Sequence, residues 1–220
     1  MSDRIDEIES RLGELGRPQA PGAPDTPEEP KAPEDGEAPA LRPPGPSPEA
    51  AAQHAEGELR VPDGYTTLSG STDGRRAVGI VVSRYNGEIT NRLLERALAE
   101  LEEVGVPREA IMVMPVPGAF ELPLATMALA KTRRYACIVA LGCVIRGETP
   151  HFDLIAGEAA SGLQLAAIET GVPVAFGVLT VENRKQAEER IDRAADAVRS
   201  ALEMADVFSQ LRAQAAGPLR

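Results

Sequence analysis

From Arg76 onward the chain alternates short apolar runs with amphipathic stretches, and this alternation restricts the fold more than any other feature. "RAVGIVVSR" is a continuous apolar run, as a parallel strand buried on both faces requires. "ITNRLLERALAELEEVG" is an amphipathic helix closed by Gly105. "AIMVMPVPG" reads as a second strand, "AFELPLATMALAKTRR" as a helix and "YACIVALGCVIRG" as a third strand. "PHFDLIAGEAASGLQLAAIETG" predicts a helix with Pro150 in its first turn and Gly171 at its end. "VPVAFGVLTV" completes the strands, and "NRKQAEERIDRAADAVRSALEMADVFSQLRAQ" predicts one long final helix. The order βαβαβαβα implies an α/β sandwich around a parallel sheet with right-handed crossovers.

The residues before this region cannot share its core. Eleven of the 19 prolines fall between Pro18 and Pro48, where large apolar side chains are almost absent. Such a segment buries too little to offset its ordering entropy, so residues 17–66 are expected to form a disordered, semi-extended linker. Ahead of it, Ile5, Ile8, Leu12 and Leu15 make one stripe of a short amphipathic helix over residues 1–16. Two heptads are too short to persist alone, so this helix is expected either to take a protein partner or cargo or to fray. The folded domain is expected over residues 67–214, with 215–220 as a tail.

Charge follows the same division. Residues 1–60 carry 14 Asp/Glu against 6 Lys/Arg, a net of −8 within a whole-chain charge of −11, which leaves −3 for the remainder. A mildly acidic domain without a basic patch or stacking platform argues against nucleic acid. No apolar stretch is long enough for a bilayer span, and no basic-then-apolar signal opens the chain. Cys137 and Cys143 sit six apart in one predicted strand, on one face, where they cannot bridge, and no metal spacing is present. Reduced thiols and a cytoplasmic location follow as the simple expectation.

In parallel α/β sheets ligands bind beyond the C-terminal strand ends. Here that rule selects residues 85–86, 117–121 and 143–151, and the region after Phe176. Tyr85 offers a ring for stacking on a planar heterocycle. "VPGAFE" sets a glycine and a carboxylate, Glu121, at a helix start. "RGETPH" combines a turn, a hydroxyl and amides at a helix start, an arrangement suited to an anion. Of the chain's two histidines, His54 lies in the Pro/Ala-rich stretch, so His151 is the one imidazole available to the folded part for proton transfer. Each feature alone more often reflects structure than function; their convergence at one sheet edge favours a site.

"SRYNGEITNRLLERAL", "VPGAFELPLA", "ALGCVIRGETPHFDLIAGEAASGLQL" and "GVPVAFGVLT" resemble the lumazine synthases, from about Leu68 to Phe208. The resemblance implies a flavodoxin-like fold with a four-stranded parallel sheet. It also implies homopentamers, often joined as an icosahedral shell of about 60 subunits with active sites between neighbours. The implied reaction is a transferase step of riboflavin biosynthesis that needs no cofactor and no metal. It condenses 5-amino-6-(D-ribitylamino)uracil with 3,4-dihydroxy-2-butanone 4-phosphate to 6,7-dimethyl-8-ribityllumazine.

By the same resemblance Tyr85 would stack on the pyrimidine, and Ala119, Phe120 and Glu121 would hold it, with Glu121 on the ribityl chain. Cys143, Val144 and Ile145 would border the ring edge, and Glu148 and Thr149 would meet the phosphate-bearing substrate. His151 would transfer protons, Arg190 would bind phosphate, and Phe176 would close a neighbouring subunit's pocket. After the fourth strand the family carries a Gly/Asn/Lys loop that is missing here, in a stretch shorter than the family's; Arg193 and Asp196 stand where its Lys and Glu would be replaced. Loss of a phosphate-facing lysine is expected to cost catalysis. A cage or scaffold with weakened turnover, and a lumazine or flavin carrier recruiting partners through the N-terminal helix, therefore stand as alternatives.

Overall fold

The computed structural model describes residues 61–73 and 75–216. The expected helix over residues 1–16, most of the expected linker over 17–66 and residues 217–220 of the expected tail lie outside the described residues; residues 61–66 contain neither helix nor strand and are exposed.

Four strands, β1 (Val78–Ser83), β2 (Ile111–Val116), β3 (Cys137–Ile145) and β4 (Val174–Val181), form one parallel sheet in the order β2-β1-β3-β4. Helices α1 (Gly87–Glu103), α2 (Leu122–Lys131) and α3 (His151–Thr170) connect them, and α4 (Arg184–Glu188) and α5 (Arg193–Ala216) follow β4. Strand β1 is buried along its whole length, as its apolar run requires. Pro115 is tolerated in β2 because that strand lies at the sheet edge.

Alternation along the strands divides the core into two layers. Ile80, Val82, Val139 and Leu141 pack with Leu93 and Leu101 of α1 and with Val198 and Leu202 of α5. Val81, Ile138 and Ala140 face Leu122 and Leu129 of α2 and Leu163 of α3. Burying each such leucine or isoleucine contributes roughly 1.5–3 kcal/mol. Cys137 and Cys143 share the first face, both as free thiols.

Glycines end two helices where the spacing predicts. Gly105 (φ +85°) follows α1, and the Val106 N–H donates back to the Leu101 carbonyl at 2.9 Å. Gly171 (φ +63°) caps α3 by donating to the Ala167 carbonyl at 2.8 Å. The chain leaves β1 for α1 on one face of the sheet and β3 for α3 on the other. A crevice therefore opens between the C-terminal ends of β1 and β3.

Two predicted helices are corrected. Residues 119–121 form a tight 3-10 turn before α2. The final helix is broken: after α4, the amides of Arg190, Arg193, Ala194 and Ala195 donate three residues back rather than four, and α5 then begins. The apolar stripe survives this break. Ala195, Val198, Leu202 and Ala205 are buried, and Ile191 packs against the same core. Hydrophobic spacing alone therefore could not reveal the interruption.

Ahead of β1, Ser69, Gly70, Ser71 and Arg76 are strapped to α5. Asp206 accepts from the Ser71 N–H (3.0 Å) and from Gln210 Nε2 (2.7 Å), and pairs with Arg76. Gln210 also donates to the Ser69 carbonyl at 2.9 Å. Gly70 lies so close to the backbone carbonyl of Glu203 that a Cβ would collide with it.

Candidate active site

The crevice holds a cavity of about 650 Å³, within the range that suits a small organic ligand. Three strand ends build it. Past β1, the Arg84 and Tyr85 amides donate to the Val116 and Pro117 carbonyls at 2.8 and 3.1 Å, extending the β1–β2 ladder into the site. Asn86 adopts the left-handed conformation (φ 57°), and its Nδ2 donates to the Cys143 carbonyl at 2.9 Å. That bond ties the turn after β1 to the end of β3. Tyr85 consequently stands on a hydrogen-bonded backbone and is 71% exposed. Phe120, beyond β2, is 59% exposed on the same cavity wall. Two open aromatic rings are suited to stacking or covering a flat ligand.

Glu121 is anchored too: its Oε2 accepts from the Gly118 N–H at 2.9 Å, which fixes the 118–121 turn and leaves the other carboxylate oxygen for a ligand. At β3, buried Cys143 and half-buried Val144 and Ile145 form the floor, and Thr149 and His151 close the far side. Burial pushes the Cys143 thiol up to about 11, so it stays protonated at neutral pH and acts as a small wall rather than a nucleophile.

Tyr85, Ala119, Phe120, Glu121, Cys143, Val144, Ile145, Thr149 and His151 thus line one cavity. Glu148 sits between the lining residues Gly147 and Thr149 without being part of the wall. Phe176 is elsewhere: with Arg193 and Asp196 it lines a second concavity, of about 460 Å³, along β4 and α5. Arg190 lines neither of these two cavities; its Nη1 donates to the Gln186 carbonyl at 2.8 Å, and it lies 3.8 Å from Glu189. A single copy of the chain therefore holds the predicted residues in separate groups.

Sequence reasoning passed over Phe152 and Ile155, which also line the main cavity. The signal was present, since Ile155 lies one helical turn from His151 on the same face. It also passed over Arg146. This guanidinium contacts Asp153 and Glu182 and holds the Asp153 carboxyl below the usual carboxylate range.

A flavodoxin-like α/β domain with an open, aromatic-walled cavity at its topological switch point and an imidazole on the cavity wall has the shape of a small-molecule site. The family model for 6,7-dimethyl-8-ribityllumazine synthase matches residues 75–209, and the chain belongs to that family. Proteins named 6,7-dimethyl-8-ribityllumazine synthase are similar over the same region. That of Edwardsiella ictaluri is 49% identical over 142 residues, covering 62% of this chain and 91% of the relative. That of Paraburkholderia phymatum is 46% identical over 136 residues (61% and 78%), and that of a Polaromonas species 44% over 147 residues (64% and 96%). No helix among the described residues is long and apolar enough to cross a membrane.

Proposed function

We propose that this chain is a working lumazine synthase, joining a 5-amino-6-ribitylaminouracil to a four-carbon keto phosphate with loss of phosphate and water. The observation that carries this reading is the convergence of nine motif residues, His151 among them, on one cavity. In the first step the amine adds to the ketone, and water leaves as the C=N bond forms. A proton then leaves C3 of the four-carbon unit as phosphate departs from C4, and the enol so formed becomes a C3 ketone bearing a new methyl group. The ribitylamino nitrogen closes the ring on that carbonyl with loss of a second water. Much of this chemistry needs only positioning and proton transfer. Tyr85 stacks on the pyrimidine, the 119–121 turn and the β3 end hold its edges, and Glu121 takes the ribityl hydroxyls. His151 carries protons between the amine, the carbonyl oxygen and the departing groups.

Phe176 and Arg190 act from a neighbouring subunit of a cyclic pentamer, Phe176 as a lid and Arg190 on phosphate. Their separation from the His151 cavity within one chain supports that assignment. Arg193 and Asp196, beside Phe176, take the place of the absent loop. The enzyme works in the cytoplasm, and residues 1–16 recruit a partner or cargo.

Steady-state lumazine formation tests the reading in wild type, His151→Ala and Arg190→Ala. Robust wild-type turnover that falls at least tenfold in both variants is expected. Assembled wild-type particles no faster than the uncatalysed condensation would instead favour the cage or the carrier, and bound yellow fluorescence without turnover would single out the carrier.

A further inference from the structure

We infer that Arg146 is a positioning residue that holds the 147–150 loop and the first turn of α3, and so sets where His151 and Thr149 stand in the cavity. This rests on the functional reading above. Arg146 follows β3 directly, and its N–H donates to the Val181 carbonyl at 2.9 Å, so its backbone belongs to the rigid sheet. Its side chain then reaches across the loop. Nη1 and Nη2 donate to the two oxygens of Asp153 at 3.0 and 2.9 Å, a two-pronged grip on the first turn of α3. Nε donates to Glu182, just past β4, at 3.1 Å, and the guanidinium lies 4.1 Å from the centre of the Phe152 ring.

One side chain therefore joins the ends of β3 and β4 to residues 152 and 153. The catalytic candidate, His151, lies between that grip and the loop. A lone exposed ion pair would fix little, but a forked pair within a three-charge cluster is the exception. Arg146 does not line the cavity, and two carboxylates balance its charge. It is thus placed to orient its neighbours rather than to bind the substrate's anion itself. Lysine has no fork and could restore only part of this role.

The test uses the full-length chain as wild type, Arg146→Gln, Arg146→Lys and the pair Arg146→Gln/Asp153→Asn. It reads kcat, the KM of each substrate, Tm, and amide hydrogen exchange in a peptide covering residues 147–155. Displacing a catalytic group by about 1 Å can cost roughly 100-fold, so Arg146→Gln is expected to lower kcat by about 10–100-fold. The KM of the uracil substrate should stay within about twofold, because Tyr85 and the 119–121 turn are untouched. Exchange in 147–155 should quicken, Arg146→Lys should recover part of kcat, and adding Asp153→Asn to Arg146→Gln should change little more. Unchanged kcat with a lowered Tm, or both KM values rising together, would overturn the inference. If wild type itself shows no turnover, the functional reading fails separately and exchange alone decides. Faster exchange in Arg146→Gln then supports the brace, and unchanged exchange overturns it.

Discussion

Glu100 offers the most direct test of how α5 is held against α1. Its side chain is only 6% exposed, and it accepts from Arg96 at 2.8 Å and from Arg199 at 2.7 Å. Each charge-assisted hydrogen bond contributes about 1.5–3 kcal/mol, so removing both sets an upper bound of about 3–6 kcal/mol. The actual loss is smaller. Arg96 keeps Asp192 at 3.2 Å and Arg199 keeps Asp196 at 2.6 Å, and their side chains are 27% and 45% exposed, so water partly replaces the lost carboxylate. Glu100→Ala is therefore expected to cost about 2–3 kcal/mol, and Glu100→Gln, which keeps one acceptor, about 1–2 kcal/mol. With a urea dependence near 2 kcal/mol per molar, the alanine midpoint falls by roughly 1–1.5 M. Urea unfolding at fixed protein concentration reads this directly, because the stability of any protein that assembles depends on its concentration. A loss below about 0.5 kcal/mol for Glu100→Ala would refute the reasoning and reduce the cluster to ordinary surface pairing.

Two further outcomes follow from the packing and the charges. A Cβ at Gly162 would lie 2.6 and 2.8 Å from Cβ and Cγ of Pro123, so Gly162→Ala should force α3 away from α2. Overpacking of about 1–3 kcal/mol outweighs the roughly 1 kcal/mol gained in helix propensity, and a lowered Tm is expected; a raised Tm would contradict the contact. Asp206 is held below the usual carboxylate range by the Gln210 hydrogen bond first, then the Ser71 N–H and Arg76. A depressed folded pKa contributes stability above the unfolded value near 4 and loses it as pH falls through the folded one. Asp206→Asn should therefore unfold earlier than wild type at pH 7, with the difference narrowing below about pH 4. An equal gap at pH 3 and pH 7 would show that the charge is not the cause.

The sheet, the helix ends at Gly105 and Gly171, and the presence of a cavity beyond the strand ends were all legible, because each follows from a local rule about apolar spacing, backbone freedom or sheet topology. The interruption over residues 189–192 was not. It contains no glycine or proline, and Ile191 keeps its place in the apolar stripe through three-residue hydrogen bonds. Motif reading found the cavity walls from Tyr85 to His151 because they lie at strand ends. It overlooked Arg146, whose part depends on carboxylates 7 and 36 residues away that only the fold brings together.

The strap on α5 also has a mechanical meaning. Asp206 and Gln210 grip Ser69, Ser71 and Arg76 two residues or more before β1 starts, and Gly70 is seated against the helix backbone. A pull on the chain ahead of Ser69 would reach this cleat before it reached the central strand. Load would be taken in shear by the outer helix, and the cavity at the far end of β1 would be isolated from whatever is attached to the other end of the line.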